Sequence, residues 1–308
     1  MPEPFTLEQV QAFCDKHSLR GEVRHIGSGY INWVYQVGDD IIIRATKQGM
    51  DPEDSYTEIV AVPAAIKAGI KTPELLLFDD DCDALPTVTT VYRRCEGVAL
   101  ATLQVDQHEL PPLYRELGRE IAKLHTRVTE VDDPNNWLDK LYRYDLDEEI
   151  QKAFAANKIE TVTRDWLMKW ADRLRPAHES PFETKFVHND MHAGNTMVLQ
   201  DPLRLSAIID WGDANWGDPA QDVLKTPVWA APWVIEGYRQ EGGEVDEMFV
   251  GRVIAQNVAI SLVGLYDKWP EGDLAWQPLA SSFWANLVRL TAMDLPSEWK
   301  RWLPDAPV

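Results

Sequence analysis

KFVHNDMHAGNTMVLQDPLRLSAIIDWGDANWGDPAQD, residues 185–222, is the stretch that decides how this chain is built. Its apolar segments KFVH, TMVL and LSAIID are short and broken by polar loops, the pattern of small strands that carry site residues on their ends. Asp190 and Asn195 share one loop, and a hairpin made of TMVL and LSAIID returns Asp210 beside them. Three hard oxygen donors then converge. Such a set suits the holding of magnesium and the orienting of a hydroxyl group, which is most of what phosphoryl transfer asks of a protein.

Upstream of this stretch the pattern is different. Thr6 and Gln9 form a capping-box pair, with Leu7, Val10 and Phe13 at helical spacing behind it, so a short helix opens the chain. EVRHIG, NWVYQVG and DDIIIRAT follow as β-branched and aromatic runs separated by turn signals, which predicts an antiparallel meander. Asp51 and Pro52 suit the start of a helix running through Glu58 toward Gly69, with Pro63 expected to kink or restart it. ELLLFD and LPTVTTVY read as two more strands around the acidic turn DDDCD. After Gly97 the spacing of Leu113, Leu117, Ile121 and Leu124 is helical, and most of the rest is helix or loop. The class is α+β: a strand-rich part, 1–95, a hinge at about 91–97, and a helix-rich part, 98–308.

Composition narrows the function classes. An apolar fraction of 45% over 308 residues fits a packed protein. MPEPFTLEQVQ has an early acid and no basic lead into an apolar core, so it is not read as a signal peptide. TPVWAAPWVI falls short of the roughly 20 apolar residues of a spanning helix, and a cytoplasmic protein with no membrane partner is expected. Thirty basic residues against 50 acidic ones give a net charge of −20, which repels nucleic acid and attracts cationic small molecules. Cys14, Cys82 and Cys95 have no CxxC spacing and suggest neither a disulfide framework nor a zinc site.

The motif His-x-Asp-x-x-x-x-Asn, then Ile-Asp-x-x-x-Ala-x-x-Gly-Asp-Pro-x-x-Asp, is met by His188, Asp190, Asn195, Ile209, Asp210, Ala214, Gly217, Asp218, Pro219 and Asp222. In this it resembles the aminoglycoside phosphotransferase family, whose members share a bilobal protein-kinase-like fold. The resemblance implies that Asp190 is the catalytic base or hydroxyl-orienting residue and that His188 braces its loop. It implies further that Asn195 and Asp210 bind Mg2+, and that Asp218 holds the catalytic-loop backbone. ATP or GTP is then the phosphate donor. Ser28 and Gly29, in the turn Gly27-Ser28-Gly29, are expected to turn N–H groups toward phosphate. Arg44 is expected to grip phosphate while paired with Glu58, and the backbone of Val91, Tyr92 and Arg93 to meet the adenine edge. Three departures stand out: Arg44 where lysine is commoner, Asn189 where glycine is frequent, and no third glycine in the phosphate loop. His125 is read as structural.

Downstream of Asp218 the chain is rich in tryptophan (Trp229, Trp233, Trp269, Trp276, Trp284) and holds the acids Glu236, Glu241, Asp267 and Glu271. By resemblance this region lines the acceptor pocket, and Trp233, Glu236 and Asp267 are the candidate contacts. The implied acceptor is a small molecule with a hydroxyl, cationic ones included: an aminoglycoside or related antibiotic. Two alternatives are a metabolic kinase acting on choline, homoserine, a sugar or an amino sugar, and a catalytically silent nucleotide-binding protein.

Overall fold

A computed structural model describes residues 3–138, 143–266 and 294–304. Helix α1, Leu7–Lys16, begins with the expected capping box: the Gln9 N–H donates to Thr6 Oγ1 at 3.3 Å and the Thr6 N–H to Gln9 Oε1 at 2.9 Å. Its buried face, Val10, Phe13 and Cys14, packs on Tyr35, Val37, Ile43, Ala45 and Val91 of a sheet. Burial, reinforced by Asp15, pushes the Cys14 thiol up to about 11, so it is inert.

That sheet contains β1 (Val23–Ser28), β2 (Asn32–Val37), β3 (Ile41–Thr46), β4 (Leu75–Asp79) and β5 (Thr89–Arg93). They are antiparallel in the order β1-β2-β3-β5-β4, so the last strand in sequence inserts beside β3. Helix α2, Glu53–Lys67, makes the β3–β4 connection. Contrary to expectation, Pro63 does not interrupt it; the proline lies on the exposed face, where water can satisfy the carbonyl it leaves without a donor. The other face of α2, including Val60, Ala61 and Ala65, joins the larger core together with Leu117 and Ile121. The strand-rich part therefore completes its burial against the helical part.

The helical part comprises α3 (Pro111–Arg127), α4 (Leu146–Ala155), α5 (Thr161–His178), α6 (Gln221–Leu224), α7 (Ala231–Gln240) and α8 (Phe249–Tyr266). Between α5 and α6 lie β7 (Lys185–Val187), β8 (Thr196–Gln200), β9 (Leu203–Ile208) and β10 (Asn215–Gly217). β8 and β9 form the expected hairpin, extended by β6 (Val98–Ala99) on β8, while β7 pairs with β10. Among the described residues, the helix to weigh as a membrane span is α8. By length and composition it is long enough to cross a membrane, yet it lies inside the protein, and its buried Arg252 is matched by Asp218 and Asp246.

Helices α3 and α7 meet at glycines. A Cβ on Gly118 would stand 2.0 Å from the Val234 carbonyl oxygen, and one on Gly237 2.0 Å from that of Arg115. Both obstacles are backbone, so no side chain can swing aside. Gly118→Ala is expected to destabilise the protein by about 1–3 kcal/mol, as overpacking does, read as a lower urea midpoint.

Candidate active site

The site is assembled where β7 ends and where β8 and β9 return together. Ile208 pairs with Thr196, and the Ile209 N–H donates to the Asn195 carbonyl at 3.0 Å. This brings the Asp210 turn against the Asp190–Asn195 loop, as the spacing predicted. Asn189 (φ 64°) and Asp210 (φ 69°) both occupy the left-handed region. Asparagine and aspartate are the non-glycine residues that tolerate it best, which accounts for Asn189 at a position where glycine is frequent.

Asp190 has a different partner on each carboxylate oxygen. Oδ2 accepts from Asn195 Nδ2 at 2.7 Å and lies 3.4 Å from His192 Nε2; Oδ1 lies 2.5 Å from the ammonium of Lys225. Burial alone would raise its pKa, but the Lys225 charge and the His192 contact outweigh that and hold the carboxyl well below the usual carboxylate range. Lys225, whose nitrogen is also 3.6 Å from Asp213 Oδ2, is shifted upward because Asp190 and Asp213 outweigh its own burial. Neither Lys225 nor His192 stands out as a site residue in the sequence. The available signal for Lys225 was a lone cation in the apolar run that follows Asp222.

His188 is fully buried. Its Nδ1 accepts from the Asp190 N–H at 3.1 Å, so Nε2 carries the proton and donates to the Ile209 carbonyl at 3.1 Å. The ring thus spans the Asp190 and Asp210 loops, edge-on to Trp211 with centroids 4.6 Å apart, and burial depresses its pKa. It is a neutral spacer.

The acid that holds the loop backbone is Asp222, which corrects the expectation for Asp218. Asp222 accepts from the His188 N–H (3.1 Å), the Asn189 N–H (2.6 Å) and His125 Nε2 (2.9 Å). His125 in turn meets the Tyr238 hydroxyl at 3.0 Å, which makes it structural. Asp218 is turned toward Arg252 Nε at 3.0 Å and caps the Ala220 N–H. The physical reason is charge: the fully buried guanidinium on α8 needs carboxylates, and Asp218 and Asp246 are the two beside it.

Across from Asp190, Arg44 spreads its fork over two acids. One arm bonds buried Glu58 on α2, as expected, and Nη2 donates to Asp210 Oδ1 at 2.7 Å. The Tyr92 hydroxyl donates to the second Glu58 oxygen at 2.6 Å. Lysine, a point donor, cannot present this planar pair of bonds, which accounts for arginine here.

Two nucleotide-edge expectations are corrected. Val91 and Tyr92 have ladder partners on both sides, in β3 and β4, and the Arg93 and Arg94 amides donate to Glu74 and Asp40 carbonyls. The strand runs to Arg93, one residue past the expected LPTVTTVY, and the Arg94 amide is still paired before the connection to β6 continues at Cys95. In the β1–β2 turn the Gly29 N–H donates to the Asn32 carbonyl at 2.9 Å, so it closes the hairpin instead of facing outward. Lys47 Nζ holds that turn through the Gly29 and Tyr30 carbonyls, at 2.6 and 3.1 Å.

The donor set fits magnesium. Among the described residues no three His, Cys, Asp or Glu side chains form a metal-holding group. Magnesium takes only one or two protein oxygens and fills its octahedron with water and phosphate. Asn195 commits its amide nitrogen to Asp190, which turns its carbonyl oxygen the other way, and Asp210, 40% exposed, bonds Arg44 through only one oxygen.

The described acceptor candidates, Trp233 and Glu236, have partners on and around α3. Trp233 stands edge-on to Trp229, which packs on Tyr114, while Glu236 pairs with Arg115 at 2.8 Å and Glu241 with Arg127 at 3.2 Å. Helix α7 and the residues flanking it, Trp229 and Glu241, face α3 here. Asp267, Glu271, Trp269, Trp276 and Trp284 lie outside the described residues.

Comparison with known proteins agrees with this geometry. The family model of the phosphotransferase enzyme family matches residues 22–251. No curated protein matches the sequence. Among solved structures, a choline/ethanolamine kinase family protein from Mesorhizobium loti superposes with TM-score 0.63 at 19% identity, over 97% of this chain and 98% of its own. The ADP-bound aminoglycoside phosphotransferase APH(2'')-Ib gives 0.60 at 15%, over 91% and 99%. Spectinomycin phosphotransferase APH(9)-Ia, with ADP and spectinomycin, gives 0.59 at 14%, over 97% and 98%. At such identities the likeness is one of fold.

Asp222→Ala would strand three buried donors at once. We expect a loss of about 3 kcal/mol or more in urea unfolding, with faster hydrogen exchange at the His188 and Asn189 amides; Asp218→Ala should leave exchange at those two amides unchanged.

Proposed function

The chain belongs to the phosphotransferase enzyme family, and on that premise we propose that it moves the terminal phosphate of ATP or GTP onto a hydroxyl of a small polar molecule. The observation that carries this reading is the meeting of Asp190, Asn195 and Asp210 across the β8–β9 hairpin, opposite the forked Arg44.

In this reading Asp190 receives the acceptor hydroxyl. A carboxylate held so far below its usual range is a weak base, so its work is to orient the hydroxyl and take its proton late, as the oxygen–phosphorus bond forms. His188 keeps the two loops at a constant spacing while remaining neutral. Magnesium, held through Asn195 Oδ1 and an Asp210 oxygen, would neutralise charge on the terminal phosphates. Arg44 keeps one arm on Glu58, whose other oxygen is fixed by Tyr92, and exchanges Asp210 for phosphate with the second. Ser28 and the turn held by Lys47 lie on the donor side, and the adenine edge is assigned to the segment from Cys95 to Gly97. Dependence on a nucleoside triphosphate is consistent with a cytoplasmic location.

Two acceptor classes have specific support. The net charge of −20 favours a cationic acceptor such as an aminoglycoside or a related antibiotic. The pairing of Glu236 and Glu241 with arginines favours a less cationic metabolite, such as a sugar or homoserine, because those acids are already neutralised. Magnesium-dependent turnover against a panel of aminoglycosides, macrolides, choline, homoserine, sugars and amino sugars separates the two. Silence toward every acceptor and toward water would favour a nucleotide-binding protein without catalysis.

Asp190→Ala should lower kcat by about 10²–10⁴-fold while calorimetry shows magnesium–nucleotide affinity within about two-fold of the parent; near-normal turnover would refute the role. Asp210→Ala should weaken that affinity as well as turnover, and unchanged affinity would refute its part in holding the metal.

A further inference from the structure

Lys225 follows α6 directly, three residues after the acid that ties down the loop. Its ammonium joins Asp190 Oδ1 and Asp213 Oδ2, at 2.5 and 3.6 Å, so one cation bridges carboxylates from two separate loops. Asp190 Oδ2 is already taken by two groups, Asn195 and His192, whereas among the described residues Oδ1 has Lys225 alone. Oδ1 therefore keeps a lone pair for an acceptor hydroxyl, and Lys225 is the cation that holds that oxygen in place.

Apolar packing alone does not call for this lysine. Its chain neighbours Val223, Leu224 and Val228 are all buried, and an apolar side chain could fill the end of α6 without the cost of burying an ammonium. Its charge answers Asp190 and Asp213 and not the apolar core around α6. Asp213, three residues beyond Asp210, makes the bridge a link between the two halves of the site: the loop that would receive the hydroxyl and the turn that would hold the metal.

We propose that Lys225 is a positioning residue of the phosphoryl transfer, fixing the Asp190 carboxylate with Oδ1 toward the acceptor and tying it to the Asp210–Asp213 turn. The inference rests on the reading of Asp190 given above. It requires that Lys225 act on the acceptor side, through Asp190, and not on nucleotide binding.

The test uses the full-length protein as wild type, Lys225→Met, Lys225→Arg, Asp190→Ala and the double variant Asp190→Ala/Lys225→Met. Turnover of magnesium–ATP is measured with the fastest acceptor of the panel, or with water where no acceptor is used, alongside calorimetric nucleotide affinity and melting temperature. We expect Lys225→Met to lose about 10²-fold in kcat, the scale of a misplaced reacting group, with nucleotide KM unchanged within about two-fold. Lys225→Arg should recover most of the rate, and in the Asp190→Ala background the lysine change should cost almost nothing more. Should Lys225→Met melt too low for assay, Lys225→Gln, which keeps a donor without the charge, serves for the same readouts. Wild-type kcat in Lys225→Met, an equal loss in the Asp190→Ala background, or a matching loss of nucleotide affinity would each overturn the proposal. Wild-type protein that neither binds nor turns over magnesium–ATP would instead remove the underlying reading of the site.

Discussion

A carboxylate with no access to water must be met by donors, and Asp222 is such a group. Its donors are two consecutive loop amides and one buried imidazole, and the shape of the Asp190 loop follows from them. Tyr238 on α7 orients His125 on α3, His125 and Asp222 fix the start of the loop, and His188 carries the constraint on to the Asp210 turn. The glycine contact between α3 and α7 sets the distance over which this relay must reach. Packing of two helices and orientation of a reactive carboxylate are thus parts of one arrangement.

The second constraint concerns how the strand-rich part is held against the helical part. Arg44, on β3, bonds Glu58 on α2 and Asp210 beyond β9, so one guanidinium spans both. Lys71 makes a similar crossing: its ammonium meets Glu116 on α3 and the Leu205 carbonyl, and its own carbonyl accepts from Ile208. Because α2 also completes the larger core, these polar contacts act on parts already brought together by apolar burial. Their contribution is to fix register where two side chains a few tenths of an ångström out of place would miss.

Legibility differed by the kind of information needed. The hairpin that brings Asp210 to Asn195 was readable because strand alternation and spacing are local properties, and so was the capping box of α1. Asp218 and Asp222 lie in the same motif with the same chemistry, and nothing local says which one turns toward the loop. That choice was made by Arg252, which lies far along the chain and claimed Asp218. The expected strand LPTVTTVY stopped one residue short of the end of β5, because the Glu74 and Asp40 carbonyls that prolong the pairing through Arg93 and Arg94 come from other parts of the chain. Lys225 carried no motif at all.

The sequence by itself determined the fold class, the order of the elements and the meeting of Asn195 and Asp210 with Asp190, because these depend on periodicity, turn chemistry and a motif within a single hairpin. Only the tertiary structure decided which oxygen of each acid meets which donor. It assigned Asp222 to the loop, Asp218 to Arg252, Lys225 to Asp190, and Asp210 to the second arm of Arg44. The reason is that a buried charge is satisfied by whatever lies within about 3 Å in space, and such partners can come from any point along the chain.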